Sequence, residues 1–162
     1  MTDASGAAHR AAPTLFIDAD ACPVKEEVYK VARRTGCPVV VVANAFTRTP
    51  PDVRFVLVDA GADVADDWIA EQVKPGDIVI TNDIPLASRA LKAGAAALGA
   101  TGKAFTEASI GSALAQRELM EHLRSFGEIT KGPKPFLAAD RSRFLSALDA
   151  AVQKAKRTRP SI

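Results

Sequence analysis

Histidine, cysteine, tryptophan and tyrosine are scarce in this chain of 162 residues, which holds two, two, one and one of them. Each scarcity excludes something. Cys22 and Cys37 each precede a proline and lack metal-ligand spacing. That excludes a zinc module or a disulfide framework and leaves free thiols in a reducing compartment. His9 lies near the start and His122 in a helical stretch, both apart from the acids described below, so imidazole plays no part in a site. No apolar run approaches a membrane span, and the first residues lack the apolar core of a signal peptide; the cytoplasm is the expected compartment. Aromatics are few, and Trp68 falls on the inward stripe of a helix, so a surface that reads RNA by stacking is not expected. The net charge of +2 permits a nucleic-acid partner without requiring one. No internal repeat or second domain is evident. The length suits one domain, expected over 14–157, after a disordered leader at 1–13 and before a basic tail at 158–162.

What is present is organised around Leu15-Phe16-Ile17-Asp18-Ala19-Asp20-Ala21-Cys22-Pro23-Val24-Lys25. Three apolar residues suit an interior strand, and Pro23 suits the first turn of a helix. Asp18 and Asp20 are two apart, so in extended backbone they leave the same face and repel unless a proton or a cation lies between them. From there strands and helices alternate. A helix over Val24 to Thr35 closes at Gly36, and the run Val39 to Ala43 reads as a strand covered on both faces. A short strand follows at Phe55 to Val58. Gly61-Ala62-Asp63 opens a helix whose inward stripe is Ala65, Trp68, Ile69 and Val73. Ile78-Val79-Ile80 forms a fourth strand, Pro85 starts another helix, Ala95 to Leu98 reads as a fifth strand, and Gly102 to Phe105 reads as a hairpin. Two longer helices are expected near Ser109 to Phe126, with Ile110, Leu114, Leu119 and Leu123 apolar, and near Asp140 to Lys156, burying Phe144, Leu145, Leu148 and Val152. Between them lies an irregular loop carrying Lys131 and Lys134. The fold class implied is α/β, a mostly parallel central sheet with helices on both faces.

In such sheets ligands bind at the carboxyl ends of the strands. Asp18, Asp20 and Asp83 fall there, and so does the helix start carrying Asp63, Asp66 and Asp67. Taken singly some have plain explanations. Asp63 reads as a helix N-cap with Asp66 as its capping-box partner, and Asp83 can cap the helix that begins at Pro85. Asp67 lies off the apolar stripe and reads either as a solvated acid or as a ligand. Capping does not account for Asp18 and Asp20. Acids gathered without lysine or arginine beside them repel, and oxygen-only ligands favour Mg²⁺ or Mn²⁺. Lys25, at the first turn of a helix, is placed for an anion. Asn82, Arg48, Arg89, Arg117, Lys131 and Lys134 are further candidates for substrate phosphates; each cation taken alone reads first as a solvated charge, with Lys131 and Lys134 favoured somewhat by their long irregular loop. Cys22 beside Lys25 reads as an acidified thiol or, more simply, as a small buried residue.

Two segments, Gly61-Ala62-Asp63-Val64-Ala65-Asp66-Asp67-Trp68-Ile69-Ala70 and Ile80-Thr81-Asn82-Asp83-Ile84-Pro85-Leu86, resemble the acidic motif pair of flap-nuclease and PIN-type ribonuclease domains. Together with DADACPVK, VVVVAN, the GEIT…GP…PF segment and DRSRFL, they resemble the bacterial YaiI/YqxD family over nearly all of Leu15 to Arg157. The resemblance implies a PIN-like three-layer sandwich and metal-dependent phosphodiester hydrolysis, with RNA favoured over DNA. Under it Asp18 is the ligand of the first strand, Asp66 and Asp67 those of the helix, and Asp83 that of the fourth strand. Asp18, Asp20 and Asp83 are then the catalytic set, around one ion or two about 3.5–4 Å apart. The pattern departs at Pro85, where flap-type nucleases carry a second aspartate. Asp20 is the acid that would make up the deficit.

Two other classes fit parts of the chain. Asp18-Ala-Asp20-Ala-Cys22 has the spacing of the haloacid-dehalogenase nucleophile motif, which would make Asp18 a phosphorylated nucleophile, but the later aspartate pair and a cap domain are missing. A non-catalytic metal- or RNA-binding protein is the third.

Overall fold

Val39-Val40-Val41-Val42-Ala43 is buried along its whole length, as a strand between two helical layers requires. The computed structural model describes residues 12–19, 22–61, 63–125 and 136–158. The expected leader up to residue 11, Asp20, the loop with Lys131 and Lys134, and the last four residues of the basic tail therefore lie outside the described residues.

The strands are β1 (Leu15–Asp18), β2 (Val39–Ala43), β3 (Arg54–Leu57), β4 (Ile78–Ile80) and β5 (Ala96–Leu98). The helices are α1 (Lys25–Thr35), α2 (Val64–Gln72), α3 (Ile84–Lys92), α4 (Glu107–Ser125) and α5 (Ala138–Thr158). Strand order is β3-β2-β1-β4-β5, and every pairing is parallel. The expected α/β class, a parallel sheet flanked by helices, is therefore what forms. Beyond β5 the chain turns back in a hairpin, with an antiparallel bridge from Leu98 to Ala104.

Alternation along each strand divides the core in two. Leu15, Ile17, Val39, Val41, Ile78 and Ile80 pack with Val28 of α1 and Phe144, Leu148 and Val152 of α5. Phe16, Val40, Val42 and Val79 pack with Ile69 of α2, Leu86 and Ala90 of α3, and Ile110 of α4. Each large side chain fully buried here contributes about 1.5–3 kcal/mol.

Local chemistry sets the ends. Helix α1 carries Glu26 and Glu27 in its first turn and Arg33 and Arg34 in its last, matching the helix dipole, and stops at Gly36 in a left-handed conformation. Arg141 of α5 donates to the Pro23 carbonyl at 2.8 Å and pairs with Glu27 at 3.2 Å, tying the two helices of one layer together. At the amino end of the sheet the buried Asp77 accepts from the backbone N–H groups of Thr14 and Lys74.

Of the residues expected to be buried by α5, Leu145 is only half-buried at the margin of the core, and two larger expectations fail. Trp68 is half-buried, not core: it meets the Phe16 ring edge-on at 6.4 Å, and the Arg54 guanidinium lies over it at 5.6 Å. Helix α4 does not bury its apolar stripe. Only Ile110 is buried among its described side chains, and Leu119 is 54% exposed. Among the described elements the helix packs chiefly against α3, with Ile110 as its buried contact, and its later apolar side chains stay exposed or half-exposed.

Candidate functional site

Reversal of strand order fixes where a cleft can open. β1 feeds β2 on one side of the sheet, while β4, reached from β3, pairs on the other side of β1 and feeds β5. Loops leaving the carboxyl ends of β1 and β4 therefore diverge, and the gap between them is the usual ligand crevice of such a sheet. A cleft of about 680 Å³ occupies it. Asp18, Asp63, Asp66, Asp83, Asn44, Asn82, Thr81 and Cys22 line it, and no lysine or arginine does among the described residues.

Parity aims the central acid. Phe16 packs toward α2 and α3, so Asp18, two residues on, leaves β1 on that same face. β4 continues to Thr81, whose N–H donates to the Leu98 carbonyl at 3.0 Å. Since Ile17 pairs with Ile80, Thr81 stands beside Asp18 across the ladder. Its hydroxyl donates to Asp18 Oδ2 at 2.9 Å and accepts the Asp83 N–H at 2.9 Å. Asp83 Oδ1 accepts from the Leu86 N–H at 3.1 Å, so the expected capping of α3 is realised. Asn82 Oδ1 accepts from the Ala100 N–H at 3.0 Å. An N–H partner identifies the oxygen of this amide, so the Asn82 NH₂ group is what remains to donate.

Asp66 reaches the group from α2. Burial raises its pKa from 3.8 to about 7, with further contributions from the charges of Asp83 and Asp18, a side-chain hydrogen bond with Asp83, and the charge of Asp63. A pKa of about 7 leaves Asp66 partly protonated near neutrality, which eases its repulsion with Asp83 and Asp18.

Asp63 overturns its expected role. It occupies the N-cap position of α2 with a left-handed backbone, φ 69°, and its side chain makes no capping hydrogen bond. Asp66 bonds Asp83 instead of completing a capping box. Asp67 points elsewhere: it forms an exposed ion pair with Arg89 at 2.6 Å and does not line the cleft, which takes Arg89 out of the set of uncommitted cations as well. Cys22 lines the cleft, but burial pushes its thiol up, outweighing the Val24 backbone hydrogen bond and Lys25 that pull it down. Lys25 lies half-buried on α1 and Arg117 exposed on α4; neither lines the cleft. Of the residues expected to serve a site, Asp18, Asp66, Asp83 and Asn82 converge. Thr81 and Asn44 line the same cleft without having been singled out for it, although each directly follows a strand, the position where parallel sheets carry ligand-facing residues, and Asp63 lines it where a cap was expected.

Among the described residues, no three histidine, cysteine, aspartate or glutamate side chains stand as a ready cage for a metal ion. Apart from the Cys22 thiol, the donors lining the cleft are carboxylate, hydroxyl and amide oxygens, hard ligands of the kind that suits Mg²⁺ or Mn²⁺. Among the described residues, no helix is long and apolar enough to cross a membrane.

Comparison with known proteins agrees with the motifs. The chain is 66% identical over 145 residues to a UPF0178 protein of Caulobacter sp. (strain K31), covering 88% of this chain and 96% of that one. It is 62% identical over 149 residues to a UPF0178 protein of Caulobacter vibrioides (strain NA1000 / CB15N), covering 91% and 97%. A UPF0178 protein of Rhodopseudomonas palustris (strain HaA2) is 57% identical over 154 residues, covering 93% and 94%. No solved structure matches the chain. Residues 16–154 match the family described as "Uncharacterized BCR, YaiI/YqxD family", which takes in all of the cleft. This chain therefore belongs to the bacterial YaiI/YqxD family.

Proposed function

We propose that the protein is a PIN-like, Mg²⁺- or Mn²⁺-dependent hydrolase of phosphodiester bonds, with RNA as the favoured substrate. One observation carries the reading: Asp18, Asp66 and Asp83 arrive from three separate segments in a cleft lined by no lysine or arginine among the described residues, where burial first, and the charges of Asp83 and Asp18 after it, raise the Asp66 pKa to about 7. Acids brought together in a cleft whose described lining holds no lysine or arginine favour a cation as ligand. Asp18, Asp66 and Asp83 would hold the cation, with Asp20 as the further acid that the sequence offers. A ready three-acid cage is not needed, because Mg²⁺ keeps several waters and takes only one or two carboxylates from a protein. When bound, such an ion supplies Lewis-acid stabilisation of the charge that develops on the phosphoryl oxygens.

The residues of the chain itself supply orientation. Thr81 restrains Asp18, and the first turn of α3 restrains Asp83. The Asn82 amide, held through its oxygen, offers N–H donors to a non-bridging oxygen. Asp67, paired with Arg89, supports α2 against α3 and has no part in the chemistry proposed here.

The test is cleavage of labelled single-stranded and hairpin RNA by purified protein in Mn²⁺. Turnover should vanish with a chelator and with Asp18→Asn. Intact RNA after prolonged incubation with wild-type protein in Mn²⁺ and in Mg²⁺ would remove the catalytic reading.

A further inference from the structure

Phe46 stands out in the molecule because its ring is 79% exposed, more than any other large apolar side chain described. It is not a loose tip. The ring packs against Phe55 of β3 in a T-shaped arrangement, with centroids 5.7 Å apart and planes at 69°, so it is held on one side while most of its surface meets solvent. Its neighbours explain where it points in function. Asn44, two residues before it, lines the cleft, and Arg48, two residues after it, is exposed. Two residues span at most about 7 Å. On β3, Leu57 pairs with Ala43 at the carboxyl edge of the sheet and is 60% exposed, extending the apolar surface along the same edge. An apolar platform flanked by a cation thus borders an acidic cleft.

We propose that Phe46 is a stacking platform for an unpaired base of a single-stranded nucleic acid whose backbone runs past Arg48 toward the cleft. The proposal rests on reading the cleft as a nucleic-acid site and adds that the substrate is single-stranded at that point. Three features select this occupant over an apolar protein surface. The platform is a single ring with a cation two residues away, a pairing that suits a base attached to a phosphate. It is continuous with the cleft through Asn44. Its ring is 79% exposed and so can be reached by a base swung out of a strand.

The test measures binding separately from cleavage. A short fluorescein-labelled single-stranded oligonucleotide is titrated by anisotropy with Ca²⁺ replacing Mg²⁺, beside the same oligonucleotide made abasic. Wild-type protein should bind the intact probe more tightly, and Phe46→Ala should weaken it by about 5- to 100-fold while leaving abasic binding unchanged. Phe46→Trp should retain the affinity, and Arg48→Ala should lower the salt dependence for both probes. The side chain is so exposed that the alanine variant is expected to fold, which circular dichroism checks. Equal affinity of Phe46→Ala and wild type, equal loss on intact and abasic probes, or no binding by wild type would each overturn the proposal. So would a shift from dimer to monomer in sedimentation with binding unaltered, which would assign the patch to a second copy. Base-dependent binding without any RNA cleavage would sink the hydrolase reading and leave this one standing.

Discussion

Thr81 and Asp18 are joined across β4 and β1 by a 2.9 Å hydrogen bond, and the same hydroxyl receives the Asp83 N–H at 2.9 Å. One nearly buried oxygen therefore sets the relative position of two acids that are 65 residues apart in the chain. Replacing Thr81 with valine keeps the shape and removes both bonds, leaving the Asp83 N–H without that partner. A loss of about 1–3 kcal/mol is expected in urea unfolding, with Thr81→Ser recovering most of it. Wild-type stability in the valine variant would show that the hydroxyl does not organise the acids.

Protonation of Asp66 gives stability a definite slope with pH. Its folded pKa, about 7, lies above the ordinary value of 3.8, so the folded chain holds that proton more tightly. The associated stability is fully present below the unfolded value and is lost as pH rises through the folded one. Melting temperature should fall between about pH 5 and pH 8 without divalent cations. Asp66→Asn should flatten that fall and melt above wild type at the alkaline end. Parallel profiles for the two proteins would contradict the crowding described here.

Divalent cations should act where the proton has left. At a hundred times its dissociation constant a bound ion adds about 2.7 kcal/mol, or roughly 5–10 °C for a domain of this length. Mn²⁺ should produce such a shift at about pH 8, much less near pH 5, and little in Asp18→Asn. A shift that persists in Asp18→Asn would place the ion elsewhere.

Gly102 should tolerate no side chain. With φ +91°, its added Cβ would lie 2.8 Å from the Arg143 carbonyl carbon and oxygen, backbone atoms of α5 that cannot swing aside. Gly102→Ala is expected to destabilise by roughly 2 kcal/mol or more, combining backbone strain with overpacking. Unchanged thermal unfolding of that variant would mean that the hairpin after β5 is not docked on α5 as described.

Much of the sheet was legible because covered parallel strands have an unmistakable composition. Val39–Ala43 and Ile78–Ile80 have the expected ends, and Asp18 and Asp83, read as strand-terminal acids, lie at the edge where the cleft opens. What failed were properties that depend on a neighbour. The stripe of α4 has helical spacing, yet nothing in periodicity says whether a surface stands opposite it, and Leu119 is exposed. Asp66 and Asp67 are adjacent and chemically identical; a turn of about 100° between them sends one to Asp83 and the other to Arg89. Thr81 lay in a quoted motif but carried no charge to draw notice. The half-buried state of Trp68 and the exposure of Phe46 follow from where β3, an edge strand, leaves off.

Because β1 lies between β2 and β4, its terminal acid faces nothing useful until both flanking segments have arrived. A nascent polypeptide that ends before residue 83 lacks one wall, and a collapsed intermediate with β4 undocked leaves Asp18 and Asp83 unconnected. Whatever the cleft does is thereby withheld from any species in which β4 has not joined β1, and a signal from that cleft doubles as a gauge of that docking.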